Sequence, residues 1–361
     1  MRTGILIVGA MLLWLFPGAP AAHAGDKPTG AEVGVIDGWT TLVPGIRHLH
    51  RRTREPLSAH VLVVDLRAPG VVVEVTPHAQ RWMKPSQYGR ASGAVATVNG
   101  GFWSVFDQKA EGLVMHGGTR WPGASDDEFY GFFGIDKQGR GVISVPSRVV
   151  RKVGHLREAI SGRQLILAGG RVTREAHCAD GCRYRQPRTA VGVSADGHTV
   201  FLAVVDGRQA HSRGISLANL ARLLAGLGAD QVINLDGGGS AALYLATKKG
   251  LVNRPADRRE REVLNHIGVF WRPTRAQLAA LRAKQRATRG SASPARMAYG
   301  GDTTVLQVPP APSTAGVPTG LQRFWQLHWR EALSPRNLLL ASPLVLGLLL
   351  LGVWGVRRRR R

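Results

Sequence analysis

Cysteine is scarce in this chain: there are two in 361 residues. That excludes a disulfide-dense scaffold and a four-cysteine zinc site. Acidic residues are also few, 24 Asp and Glu against 48 Lys and Arg, for a formal net charge of +24. No internal repeat is evident, which removes solenoids and propellers. Carboxylate clusters of the kind a metal-dependent nuclease or phosphatase needs are missing. Long uncharged apolar runs occur only near the two ends. Over the whole chain, a hydrophobic fraction of 44% is that of a folded protein, so wholesale disorder is excluded.

The two terminal runs carry an expectation about location. Arg2, the apolar stretch Ile5 to Phe16, the Pro17-Gly18 break and the small-x-small Ala22-His23-Ala24 read as an export signal over 1–24. Leu338 to Val356 has no charged residue and precedes Arg357 to Arg361. As a helix it reaches about 28 Å, close to a hydrocarbon core of ~30 Å. Arginines stay on the cytoplasmic side. The expectation is a single-pass protein of the cell membrane. Its body is periplasmic or extracellular, it is held through residues 338–356, and its tail at 357–361 is cytoplasmic. Outside the reducing cytosol, Cys178 and Cys182 are expected to form a local disulfide. Export also argues against nucleic acid as the partner of the positive charge and favours an anionic glycan or a membrane surface.

The region from 31 to 272 reads as one globular body. Residues 273–337 read as a short basic helix, with Leu278 and Leu281 at helical spacing, followed by a Pro- and Ser-rich flexible linker. Within the body, strand signals dominate. Val191-Gly-Val193 and Val200 to Val205 flank Asp196-Gly197, a hairpin pattern. Phe132 to Ile135 and Val142 to Val145 flank Asp136-Lys-Gln-Gly139 in the same way. One helix is plain: Ser216 as N-cap, then Leu217, Leu220, Leu223, Leu224 and Leu227, with Gly228 as its stop. The fold class is α+β, with a mixed β-sheet core and few helices.

Three strand ends carry polar residues beside glycine. Asn234-Leu-Asp236 runs into Gly237-Gly238-Gly239-Ser240. Such a turn can expose consecutive N–H groups to an anion or to hydroxyls, next to the Asp236 carboxylate. Val204-Val-Asp206 runs into Gly207-Arg208, where a guanidinium suits phosphate or carboxylate. Val98-Asn99 runs into Gly100-Gly101-Phe102-Trp103, which is either a plain turn or a pocket wall. Trp103 either stacks on a sugar face or fills the core. Arg188, opening another strand, is an anion ligand or an ordinary surface arginine. Paired carboxylates are the usual means of breaking a glycosidic bond, and arginines beside them fit a substrate that carries phosphate.

These motifs, in this order, resemble the phosphodiester glycosidase family: Asn99-Gly-Gly-Phe102, Arg188-Thr-Ala-Val-Gly192, Val205-Asp-Gly-Arg208 and Asn234-Leu-Asp-Gly-Gly-Gly-Ser240. The likeness extends to Leu42-Val-Pro-Gly-Ile46 and Arg261-Glu-Val-Leu-Asn265, covering roughly 33 to 272. It implies hydrolysis of a sugar-1-phosphodiester. Asp236 is then the leading base or nucleophile, with Asp206 its partner or a ligand of sugar hydroxyls. Arg208 and Arg188 would hold phosphate. Asn99, Gly100 and Gly101, with Gly237 to Ser240, would shape the pocket by hydrogen bonds. His116, Glu111, Arg261 and His266 are second-rank candidates. No cofactor and no metal is expected, although a divalent cation beside the aspartates stays open. The family's animal member carries cysteine-rich modules before its membrane span, whereas this chain has only a tether. An envelope glycan or exopolysaccharide is therefore the expected substrate. The rival reading is a non-catalytic module that binds anionic glycan at the membrane surface.

Overall fold

A computed structural model describes residues 34–123, 131–144, 153–178 and 181–290. The first strands in chain order are β1 (Val35–Val43), β2 (Ile46–Thr53), β3 (Leu57–Asp65) and β4 (Val71–Val75). Helix α1 (Pro85–Ser92) precedes β5 (Ala96–Asn99), β6 (Val114–His116), β7 (Thr119–Arg120), β8 (Gly131–Asp136) and β9 (Gly141–Ser144). There follow β10 (Leu156–Ala168), β11 (Arg171–Val172), β12 (Arg188–Val193) and β13 (Thr199–Val205). Helix α2 (Leu217–Ala225) leads to β14 (Gln231–Asn234), β15 (Leu243–Leu245), β16 (Gly250–Leu251), β17 (His266–Trp271) and α3 (Arg275–Gly290).

Among these residues a 12-stranded sheet has the main order β1-β2-β3-β13-β12-β14-β10-β6-β7, and a five-stranded sheet has the order β16-β15-β5-β17-β4. Period-two alternation stacks the two sheets. On β13, Val200, Leu202 and Val204 enter the core shared with Val98 of β5 and Ile267 and Val269 of β17. Phe201, Ala203 and Val205 point the other way, onto Leu217, Leu220 and Leu224 of α2. Helix α1 covers the outer face of the small sheet, where Tyr88 lies flat against His266, ring centroids 4.7 Å apart. The layers are therefore α2, large sheet, small sheet, α1.

The expected mixed sheet is corrected. Every described pairing is antiparallel, β13 and β14 both flanking β12 that way. Parallel neighbours need a crossover helix landing on the adjacent strand. The α2 crossover instead carries the chain over β12, so β13 and β14 run the same way without touching. The hairpins expected at Asp136–Gly139 and Asp196–Gly197 are present as β8–β9 and β12–β13. Helix α2 starts as its sequence implies, the Ser216 hydroxyl accepting from the Asn219 N–H at 3.3 Å. It ends at Ala225, earlier than Leu227, and the chain turns through Gly228 at φ +103. Thr274 and Gln277 cap α3 reciprocally.

No helix among the described residues is long and apolar enough to cross a membrane. The export signal at 1–24, the linker beyond 290, the span at 338–356 and the tail at 357–361 lie outside the described residues.

Candidate active site

The register of the large sheet brings three polar chain positions to one end. Leu235 N–H donates to Thr189 C=O at 2.9 Å and Gly238 N–H to Pro187 C=O at 2.9 Å. Arg188 pairs with Val205 across the β12–β13 ladder. Asp206, Arg188 and Asp236 thus follow one another across three neighbouring chain segments, so the two aspartates sit about 10 Å apart at strand spacing. The small sheet closes on the same place. Asp236 N–H donates to Gly100 C=O at 3.2 Å, and Asn99 Nδ2 donates to Asp236 C=O at 2.6 Å.

Asp236 is the partly open carboxylate of this group. Burial pushes its pKa up to about 6. The Ser240 hydroxyl, Arg261, the Gly237 N–H and Arg163 act against that rise by favouring the charged form. Each arginine is steered by an acid. Arg163 donates to Glu111 at 2.8 Å and lies 4.8 Å from the centre of the Phe102 ring. Arg261 donates to Asp257 from Nε. A half-buried carboxylate near neutrality, facing guanidinium groups, is suited to taking a proton beside an anionic substrate.

Asp206 is in a different state. It is 2% exposed. Its Oδ1 accepts from Asn253 Nδ2 at 3.1 Å and from Arg254 N–H at 2.8 Å. Its Oδ2 meets His211 Nε2 at 3.0 Å. Asp206, expected as the partner of Asp236 or a ligand of sugar hydroxyls, is thus placed with both oxygens engaged by Asn253, the Arg254 amide and His211. The side chain presented to solvent at this point is the His211 imidazole, oriented by Asp206. Sequence reasoning missed it. A histidine five residues after the acid has no helical or strand periodicity; the tight turn in which Gln209 and Ser212 pair brings it back. His50 borders this pair and stacks on His60, centroids 4.1 Å apart. Burial, then neighbouring imidazoles, hold the His60 pKa well below the usual range.

The other expected ligands divide. Arg208 sits at φ +59 and donates from Nε to Gln186 at 2.8 Å. Its terminal nitrogens face the Gly238 Cα, where a Cβ would stand 3.6 Å away. It is exposed and fits the anion-binding role. Arg188 does not. Its guanidinium donates to the carbonyls of Gly181, Tyr184 and Ile215. Burial, then the nearby Arg208, lowers its pKa to about 10. It braces the loop closed by the Cys178–Cys182 disulfide. Replacing both cysteines by serine is expected to lower stability by about 2 kcal/mol, read as a fall in Tm of about 4–8 °C.

Asn99 is fully buried. Its Oδ1 accepts from the Thr189 hydroxyl at 2.7 Å and from Ala242 N–H at 3.2 Å. It holds Asp236 by the backbone instead of reaching substrate. Gly100 and Gly101 are buried where the chain passes Asn265, Ile160 and Ser161, with no room for a Cβ. In the 237–240 turn, the N–H groups of Gly238 and Ser240 donate to Pro187 and Gly237 carbonyls. They do not form an open anion nest. Gly239 packs against Asp257 and Arg261, and only Gly238, at φ +59, needs glycine for its backbone angle.

Among the second-rank residues, Glu111 and Arg261 join the Asp236 cluster. His116 instead sits on the buried Glu158, at 3.2 Å, and that carboxylate also takes the Val75 and Gly117 amides. His266 is buried, with ring nitrogens on Thr76 and the Met83 carbonyl, which makes it structural. Trp103 packs edge-on against Trp82 at 4.7 Å. Arg163, Asn253 and Asp257 were not foreseen. No group of three His, Cys, Asp or Glu among the described residues is arranged to hold a metal ion.

Comparison with known proteins follows the same residues. Residues 92–270 match the model of the phosphodiester glycosidase family. The chain is 31% identical over 218 residues to N-acetylglucosamine-1-phosphodiester alpha-N-acetylglucosaminidase of Bos taurus, covering 56% of this chain and 39% of that protein. The chain thus spans well under half the length of that relative. Among solved structures, the zebrafish N-acetylglucosamine-1-phosphodiester alpha-N-acetylglucosaminidase catalytic domain, auto-inhibited by pro-peptide, aligns with a TM-score of 0.50 at 23% identity. That alignment covers 66% of this chain and 82% of that one. A hypothetical protein from Synechocystis aligns at TM-score 0.54 and 16% identity, over 66% of this chain and 64% of its own. Both share the fold. With its four motifs gathered at the meeting of two sheets, the segment 92–270 of this chain is a phosphodiester glycosidase family domain.

Proposed function

We propose that this chain hydrolyses a sugar-1-phosphodiester, releasing the free sugar and leaving a phosphate monoester on the acceptor. The observation that supports it most is Asp236: a carboxylate near pKa 6 at a strand end, facing Arg163 and Arg261, with Arg208 beside the turn that follows it. The bond that breaks lies between the anomeric carbon and the phosphate oxygen. A phosphate monoester leaves well as an anion, so one open carboxylate suffices and no second acid is required. Asp236 either takes the proton from the attacking water, or attacks the anomeric carbon itself as the phosphate leaves, forming a glycosyl ester that a water then hydrolyses to free sugar and the regenerated carboxylate. The guanidinium groups neutralise the departing phosphate, and the rigid strand end fixes the approach.

The sugar-phosphate is proposed to belong to an envelope glycan or exopolysaccharide. The body is proposed to stand outside the cytoplasmic membrane on the 338–356 anchor, a reading that rests on the apolar run and the arginines behind it. Deleting 338–361 should then release the chain from membrane fractions. The activity is tested by offering the full-length protein a panel of sugar-1-phosphodiesters and identifying products by NMR. Free sugar with a phosphate monoester is expected. Release of inorganic phosphate would make the chain a phosphatase instead, and binding without turnover that survives Asp236→Asn would replace the hydrolase by the non-catalytic binder.

A further inference from the structure

A groove of about 610 Å³ lies against the N-terminal strands and α2, outside the Asp236 cluster. Four arginines line it: Arg51, Arg54, Arg185 and Arg222. Two are committed to acids, Arg51 to Asp37 at 2.6 Å and Arg185 to Glu55. Two are surplus. Arg54 and Arg222 are exposed and make no ion pair among the described residues; Arg222 only donates to Asn219. The floor is aliphatic, with Leu57, Ile215 and Leu223.

This groove adjoins the candidate active site through one short segment. Arg185 donates to the Gly214 and Pro56 carbonyls inside it. The next residue, Gln186, holds Arg208 at 2.8 Å and pairs with Ile215. Arg188, two residues further, donates to the same Ile215 carbonyl. One extended residue spans about 3.3 Å, so the groove's Arg185 is a single residue away from Gln186, whose side chain holds the anion-binding candidate Arg208.

A lone phosphodiester needs no cations in the groove. A chain with repeated phosphates does. We propose that the groove is a second binding site for the acceptor side of the substrate, and that this substrate is a polymer carrying phosphate at regular intervals. The inference rests on the hydrolase reading above and adds the substrate class to it. The groove is concave, which suits a linear polymer better than a flat bilayer surface. No aromatic side chain lines it, so bases have no platform on which to stack, which argues against single-stranded nucleic acid.

The test uses the full-length protein in detergent and the charge-reversed variant Arg54→Glu/Arg222→Glu, both positions being exposed and outside the catalytic cluster. Wild type should bind inorganic polyphosphate far more tightly than inorganic phosphate, with an affinity that falls steeply with salt. The variant should lose at least about tenfold of that affinity at low salt, the size expected for reversing two charges in a polyanion groove. Its hydrolysis of a small sugar-1-phosphodiester should be unchanged, while its KM for a polymeric glycosyl phosphate rises. Wild-type polyphosphate affinity in the variant overturns the proposal. So does tighter binding of oligo(dT), or of anionic vesicles, than of polyphosphate through the same arginines. Groove-dependent binding with no sugar release from any diester would support the groove and overturn the hydrolase reading. Sugar release with polymer kinetics indifferent to the variant would do the reverse.

Discussion

Replacing Asp236 by asparagine is expected to lower kcat by about 10³-fold at pH 7, within the range assigned to a positioned base, while making the folded protein harder to unfold. The two effects share one cause. The native carboxyl titrates near pH 6, raised from 3.8 by burial. Between these values the folded state holds a proton that the unfolded chain has released, so the native state loses stability as pH rises from about 4 to above 6. Two pKa steps correspond to about 3 kcal/mol, and partial solvent access brings the expected figure to about 2 kcal/mol. Asparagine carries no such burden. The variant should therefore unfold at nearly the same temperature as wild type at pH 4 and several degrees higher at pH 8. Wild-type kcat/KM should climb through about pH 6 as the carboxylate forms, and thermal melts and pH–rate profiles measure both. A wild-type rate that is flat from pH 5 to 7, or a variant that turns over normally, would remove Asp236 from the reaction.

Asn99→Ala should give the largest loss of stability at the site. The side chain is fully buried and joins Thr189 of the large sheet, Ala242 and the Asp236 carbonyl. Its removal leaves three buried polar groups without partners, at about 1 kcal/mol or more each. A fall of about 3 kcal/mol, or roughly 6–12 °C in Tm for a body of this size, is expected. Asn99→Asp separates positioning from stability. It keeps the acceptor for Thr189 and Ala242 but sets an oxygen against the Asp236 carbonyl in place of the donor. A loss in kcat larger than the rise in KM is expected, since the reacting carboxylate is displaced while the phosphate-facing arginines stay. A fall in kcat no larger than the loss of folded protein, with KM unchanged, would reduce Asn99 to a packing residue.

What could be read in the sequence was local. Asp236 announced itself by a strand ending in an acid and three glycines. Helix α2 showed its leucine period and serine cap, and the Asp196–Gly197 turn its hairpin. What could not be read were the partners that decide each group's chemistry. Asp206 and Asp236 look alike in sequence, each closing a Val- or Ile-rich strand. One is sealed by Asn253 and the Arg254 amide, from a loop nearly fifty residues later; the other is left open. Arg188 and Arg208 look equally available until the carbonyls of the disulfide loop take up the first. The hairpin of β1 and β2 escaped notice because β1 is exposed on both faces and shows no alternation. The antiparallel order could not be inferred from strands alone, since it depends on α2 stepping over a whole strand.

The small sheet joins the two ends of the body: β4 pairs with β17, and Arg272 grips Glu74, 198 residues away in the chain. β5, which carries Asn99, lies on the other side of β17. During synthesis the cradle of Asp236 therefore has no stable form until Trp271 has emerged. Such distant closure is slow in folding. A nascent or truncated polypeptide that stops before the last strand would be silent towards any glycan, however complete its motifs.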